Sequence, residues 1–263
     1  MNPSAPARPK SKLPIYLGIG AGLVVFLIGV AWFFIRPAIT FNFDATSAPN
    51  FVTADFIDVN NYGAVSKFRS GVGQDFSSGG ETCRSMKHIF MPRNISGQIT
   101  DATKFPTTIS PDTSIAVYSP VTGTVSSVET EQGKLGKEIY LKPDGQDGYT
   151  VRLFNIFPLD STKPGAKVTA GDRIGSVLPW QETSVAVQVV TLGGQQLISY
   201  FDVADNNVMA NYMDQGAGGT EDLIITREYR DTHPLECEGS AFKEKDNLTG
   251  DHWLFLRDFI PAS

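Results

Sequence analysis

Histidine is nearly absent from this chain. Its 263 residues hold three, His88, His233 and His252. Cysteine is scarcer still: Cys83 and Cys237 are the whole complement, and no Cys-x-x-Cys occurs. That excludes a zinc ribbon and a thioredoxin-like redox pair. No run of basic residues follows Lys12 and the net charge is −6. A nucleic-acid partner is therefore not expected, because phosphate contacts need clustered Lys and Arg. There is no Gly-x-Ser-x-Gly elbow, no P-loop and no dinucleotide-binding glycine fingerprint, so the common nucleotide and serine-hydrolase chemistries lack their signatures. Sustained heptads and repeats of solenoid period are also missing.

What is present points to a β-rich fold on a membrane anchor. Hydrophobic residues make up 41% and charged residues 19%, enough to bury a core. Glycine (25) and proline (16) punctuate short runs of Val, Ile, Thr, Phe and Tyr, as in a sheet with many turns. Residues 13–35 carry no charge and end in Trp32, Phe33 and Phe34. At helical rise they would span roughly 34 Å, close to the hydrocarbon thickness of a bilayer. A cleaved signal peptide is the alternative, but its apolar part is usually shorter, about 7–15 residues. Arg8, Lys10 and Lys12 precede the segment and Arg36 alone follows closely. The positive-inside bias then places the N-terminus in the cytoplasm and the remainder outside. An oxidising exterior suits pairing of Cys83 with Cys237, which would stabilise the fold by on the order of 4–5 kcal/mol in the chain-entropy picture. Two buried free thiols are the other possibility.

The chain divides by pattern into a cytoplasmic stretch 1–12, the span 13–35, a tether 36–66, a β domain 67–199 and a C-terminal extension 200–263 packed on it. Within the β domain, 76–112 reads as an insertion; glycines and charged residues crowd into 68–92, and 93–112 reads as a polar linker loop. Alternating apolar residues predict strands at 138–142, 149–156, 183–190, 196–203 and 223–229, with a short helix around 208–213 ended by Gly216.

Two segments carry a resemblance. Ser119-Pro-Val-Thr-Gly-Thr-Val125 reads as a strand entering a tight glycine turn. Lys163-Pro-Gly-Ala-Lys-Val-Thr-Ala-Gly-Asp-Arg-Ile-Gly175 reads as two short strands hinged at Gly165 and Gly171. The pair resembles the barrel-sandwich, or duplicated hybrid motif, of biotinyl and lipoyl carriers, efflux-pump adaptors and lysostaphin-type (LytM-like) zinc metallopeptidases. The hairpin near 154–159 lacks the lysine of a carrier, and the missing heptads set the adaptors aside. The order of strands resembles the peptidases best. That resemblance implies zinc held by His-x-Gly-x-Asp early in the domain and His-x-His late in it. Here the early motif matches Gly71-Val-Gly-Gln-Asp75, with glycine at the first ligand position, and 183–189 contains no histidine. The expectation is a degenerate peptidase-like domain that is catalytically inactive, with no cofactor. It would bind envelope glycan or peptide, or regulate an envelope enzyme.

A different site could have replaced the missing one. If Cys83 pairs with Cys237, the residues Asp75, Glu81, Arg84, Lys87, His88, Arg230 and His233 enter one neighbourhood. They would form either a ligand pocket or a polar stitch pinning insertion and tail to the barrel. The enzymatic alternative is a divergent envelope metallohydrolase, the one case expecting zinc, using Asp75, His88 and His233.

Overall fold

The computed structural model describes residues 47–94, 104, 106, 109–110, 113–130, 134–191, 194–244 and 249–259. All lie in the second of two compact units, Asn42–Ser263. The segment expected to span a membrane, 13–35, lies outside the described residues. Among the described residues no helix is long and apolar enough to cross one.

The chain is mainly β. The strands are β1 (Tyr62–Ser66), β2 (His88–Pro92), β3 (Ile115–Tyr118), β4 (Gly123–Glu129), β5 (Lys137–Pro143), β6 (Tyr149–Pro158), β7 (Lys167–Val168), β8 (Arg173–Val177), β9 (Thr183–Thr191), β10 (Gly194–Ile198), β11 (Cys237–Glu238), β12 (Ala241–Phe242) and β13 (Trp253–Phe255). Eleven of them join one antiparallel sheet along the path β13-β1-β2-β9-β6-β5-β4-β7, with β10 on β9 and β3–β8 branching from β6. Among the described residues the α-helices are α1 (Asn206–Asp214) and α2 (Arg227–Thr232).

Strand β6 is the hub, and its sequence explains why. Val151 and Leu153 point into the main core together with Val185, Val187 and Val189 of β9. Fully burying an aliphatic side chain of this kind contributes roughly 1.5–3 kcal/mol, so the two alternating runs are held in register. The alternation then changes phase: Ile156, not Asn155, is the next core residue. Asn155 adopts φ 63°. Opposite it, Ile139 faces Leu153 but Lys137 faces Ile156, so β6 carries one extra residue, a β-bulge. Gly136 makes the close approach possible, because a Cβ there would lie 2.7 Å from the Asn155 carbonyl carbon. Beyond the bulge, Phe157 and Pro158 leave β9 and pair with Ser176 and Gly175 of β8. One strand thus serves both branches of the sheet.

Several elements differ from the sequence expectation. In the stretch read as a tether, Val52, Phe56, Ile57 and Val59 are buried in the core. Its periodicity is weak because Val52 meets Ala204 and Ile57 meets Val117 only as single bridges. The insertion 76–112 contributes β2, which lies between β1 and β9. The apolar run 196–203 ends as a strand at Ile198, where Ser199 and Asp202 form a capping box on a 3-10 turn. The run 223–229 is no strand. Ile224 makes one bridge to Phe68, and Thr226 then caps α2 through the Tyr229 amide. Helix α1 begins where Asp205 accepts from the Asn207 and Val208 amides.

Behind α1, Tyr212 Oη donates to Asp55 Oδ1 at 2.9 Å, while Asp55 Oδ2 is sealed from water without a partner. Burial, partly offset by the Tyr212 bond, pushes the Asp55 carboxyl up to about 7. A raised carboxyl favours folding below its unfolded value of about 3.8, and that stability is lost as pH rises through about 7. Asp55→Asn removes the loss. Between pH 4 and pH 8 the wild type should fall relative to the variant by about 4 kcal/mol in urea unfolding. Parallel pH profiles of the two would contradict this.

Candidate functional site

Cys83 and Cys237 are bonded, with Cα atoms 5.7 Å apart, tying the 76–85 loop to β11. Glu81 lies beside the bridge and is buried. Its carboxylate accepts from Arg69 Nε at 2.7 Å, from Arg69 Nη2 at 3.0 Å and from Arg84 Nη1 at 2.7 Å. Arg84 also reaches Asp231 Oδ1 at 2.8 Å and the Thr82 carbonyl. Asp75 Oδ1 accepts from the Arg84 amide at 3.1 Å. Arg230 donates from Nε to the Arg69 carbonyl and from Nη1 to the His233 carbonyl. Burial, followed by the proximity of Arg84, lowers the Arg230 guanidinium below its ordinary value. Asp75, Glu81, Arg84 and Arg230 are therefore brought together, and each is occupied by another part of the protein. The arrangement is the polar stitch, joining the loop, α2 and the tail.

The two histidines of the candidate set do not meet there. His88 is fully buried, and burial pushes its imidazole down to about 4. Its Nδ1 lies 2.9 Å from the Ser66 carbonyl oxygen, an acceptor, so Nδ1 carries the proton. Nε2 then accepts from Ser199 Oγ at 2.8 Å. Both ring nitrogens are committed, and the ring is packed edge-on to Phe201 at 4.7 Å. His233 is exposed, stacked on Tyr229 at 4.2 Å, with Nδ1 at 3.0 Å from the Tyr229 carbonyl oxygen. No set of three His, Cys, Asp or Glu side chains among the described residues is placed to hold a metal ion. The third histidine, His252, accepts at Nδ1 from the Gly71 amide at 3.0 Å.

On β9 the residues facing away from the main core are Ser184 and Ala186, opposite Phe154 and Arg152 of β6. Ala186 packs with Phe68, Met86, Phe154 and Leu197, and Phe76 closes over them.

Lys87 turns away from the polar stitch to the rim of this apolar patch. There a cleft of about 130 Å³ is lined by Gln74, Phe76, Lys87, Lys134, Glu138, Arg152, Phe154 and Asn155. Phe76 and Phe154 meet edge to face at 5.6 Å. Arg152 Nε donates to Glu138 Oε1 at 2.6 Å. Its guanidinium lies 5.1 Å from the Phe76 ring centre and 5.2 Å from that of Phe154. Reading the sequence missed this cleft. The available signal was Arg152, a charge alternating with Val151 and Leu153 at the middle of an otherwise apolar strand.

No family model and no curated protein matches this chain. Among solved structures, it is similar to the solution structure of lysostaphin, with 15% identity and a TM-score of 0.36 over 66% of this chain and 60% of that one. This chain thus spans less than two thirds of lysostaphin's length. It is also similar to a chain in the structure of the SpoIIQ–SpoIIIAH pore-forming complex, with 13% identity and a TM-score of 0.39 over 65% of this chain and 99% of that one. At these scores neither likeness bears on what this chain does.

Glu81 is the keystone of the polar stitch. Glu81→Gln leaves Arg69 and Arg84 charged around a neutral partner, and the cost should be about 3–5 kcal/mol, read as a lowered urea midpoint. A change within the error of the unfolding curve would show that the network contributes no stability.

Proposed function

We propose that this chain is a membrane-anchored, non-catalytic binding module of the cell envelope, built on a peptidase-like barrel-sandwich. Its N-terminus lies in the cytoplasm and its β domain outside. Its ligand is envelope glycan or peptide, or an envelope protein that it regulates. The observation that carries this reading is the face of β9 shared with Phe154. Ser184 and Ala186 stand there over an apolar patch, and Gly71 occupies the early ligand position. A metallopeptidase activates water on an ion held by imidazole and carboxylate. Neither a hydroxyl, a methyl group nor a glycine replaces an imidazole in that role. His88 offers no substitute, because using its Nε2 would break a buried hydrogen bond to Ser199. Retained instead is a shaped cleft beside the patch, with aromatic walls and charged groups, as binding surfaces commonly are.

The full chain, purified in detergent and mixed with isolated cell-wall material, should sediment with the wall and release no peptide fragments. It should retain no stoichiometric zinc after dialysis against buffer containing the metal. Tightly held zinc together with wall cleavage would contradict the reading, and absence of any retention would rule out glycan or wall peptide as the ligand.

A further inference from the structure

The tail carries a hairpin that adds little to the core. Strands β11 and β12 pair Cys237 with Phe242 and Glu238 with Ala241, in a sheet separate from the main one. Among the described residues, none from 233 to 244 belongs to a hydrophobic core cluster. Leu235, Cys237 and Phe242 are half-buried and the others in that range are exposed. The hairpin lies over residues 71–75. The Ser240 carbonyl accepts from the Asp75 amide at 2.8 Å, and a Cβ at Gly71 would lie 3.3 Å from Leu235 Cδ1. The chain is fastened on both sides of it. The His233 carbonyl accepts from Arg230, and the His252 carbonyl from the Lys67 amide at 2.8 Å. The disulfide is held unequally from its two ends. On the Cys83 side, Glu81 bonds to Arg69 and Arg84, Arg84 bonds to Asp231, and Ser85 exchanges backbone bonds with Arg69 and Ser70. The Cys237 side has the hairpin alone. Cys83 itself sits at φ 53°, in the left-handed region that a residue with a Cβ disfavours. Both cysteines are part-exposed, and exposed or strained disulfides are the ones that exchange with thiols.

We propose that residues 234–244 form a lid over 71–75 that the Cys83–Cys237 bond latches and a dithiol reductant opens. A thiolate of the reductant attacks one sulfur of the pair and the S–S bond breaks. The other cysteine leaves as a thiolate and takes up a proton. The second thiol of the reductant then displaces the mixed disulfide, so the protein gains two thiols and the reductant becomes a disulfide. The 76–85 loop stays in place through Glu81 and Ser85. The hairpin swings out between its fastenings at His233 and His252. Opening takes the Ser240 carbonyl from the Asp75 amide and turns the covered sides of Leu235 and Phe242 to solvent. Gln74 and Phe76, on either side of Asp75, line the cleft on β6, so the lid bears on one wall of that cleft. The latch does not depend on which ligand the cleft takes.

Hydrogen exchange of the full chain, purified oxidised and then treated with dithiothreitol at constant pH, tests it. A thiol titration should rise from none to two per chain, the whole cysteine complement. Exchange in peptides covering 234–244, and at the Asp75 amide, should speed by about tenfold or more, as in a local opening. Peptides covering 150–155 and 183–189 should keep their protection, and reoxidation should restore the closed pattern. Cys83→Ser and Cys237→Ser should each show the open pattern without reductant and no response to it. Where those variants do not fold, the wild type reduced after folding decides. Exchange over 234–244 unchanged in a chain with both thiols free would overturn the proposal, as would a bond that dithiothreitol does not reduce in the folded chain. Loss of protection spread across 150–155 and 183–189 would also overturn it, because the bond would then be a staple of the whole fold.

Discussion

The fold depends on one irregularity, the extra residue at Asn155. Before it, β6 alternates with Val151 and Leu153 inward, and Arg152 and Phe154 outward. After it the phase is reversed, Ile156 enters the core and the strand crosses to β8. A strand without the bulge would have to put Asn155 into the core or withdraw Ile156 from it, since a one-residue shift exchanges the two faces. The bulge therefore links three things. It closes the core, lets one strand serve two branches of the sheet, and ends the outward face at a step where the cleft forms. Bulges recur next to functional sites for this reason, since they re-aim side chains without dismantling the ladder.

Around this hub the outlying segments are fastened by a different kind of interaction. The 71–85 loop, α2 and the tail carry little aliphatic core of their own. They are joined by Glu81 between two arginines, by Asp231 on Arg84 and by the Cys83–Cys237 bridge. A buried carboxylate bonded on several sides fixes geometry more than it adds net stability. Its consequence for the site is indirect. It sets the course of the loop that delivers Phe76 over Phe154 and Lys87 to the same rim. The residues that look most chemical in the sequence thus serve as fastenings, while Lys87 and Arg152 lie across the rings of Phe76 and the buried Phe154.

The parts of this structure that are legible in the sequence are those held by regular periodicity. Strands β5, β6 and β9 and helix α1 follow their apolar patterns to within a few residues, and the pairing of two cysteines follows from their number and the expected compartment. What is illegible has a common physical cause. Residues 51–59 enter the core through single bridges and isolated aromatic contacts, which leave no period. The run Leu223-Ile-Ile is apolar as a strand would be, but Thr226 can cap a helix and the buried Arg230 finds backbone carbonyls of Arg69 and His233, so tertiary context decides. His88 looks like a ligand in sequence because its two acceptor and donor partners, Ser66 and Ser199, are distant in the chain. Arg152 and Phe154 look like ordinary strand residues until β9 places Ala186 and Ser184 opposite them. A small residue there opens the floor on which the rings of Phe76 and Phe154 lie.

The central claim is that ligand meets this protein on the outer face of β6 and not at the polar cluster beside the disulfide. Hydrogen exchange of the full chain, followed by mass spectrometry with and without soluble cell-wall fragments, tests it directly. The account predicts added protection in peptides covering 74–87 and 150–155, with the fragments recovered intact. Protection confined to 227–238, or cleavage of the fragments during the incubation, would contradict it.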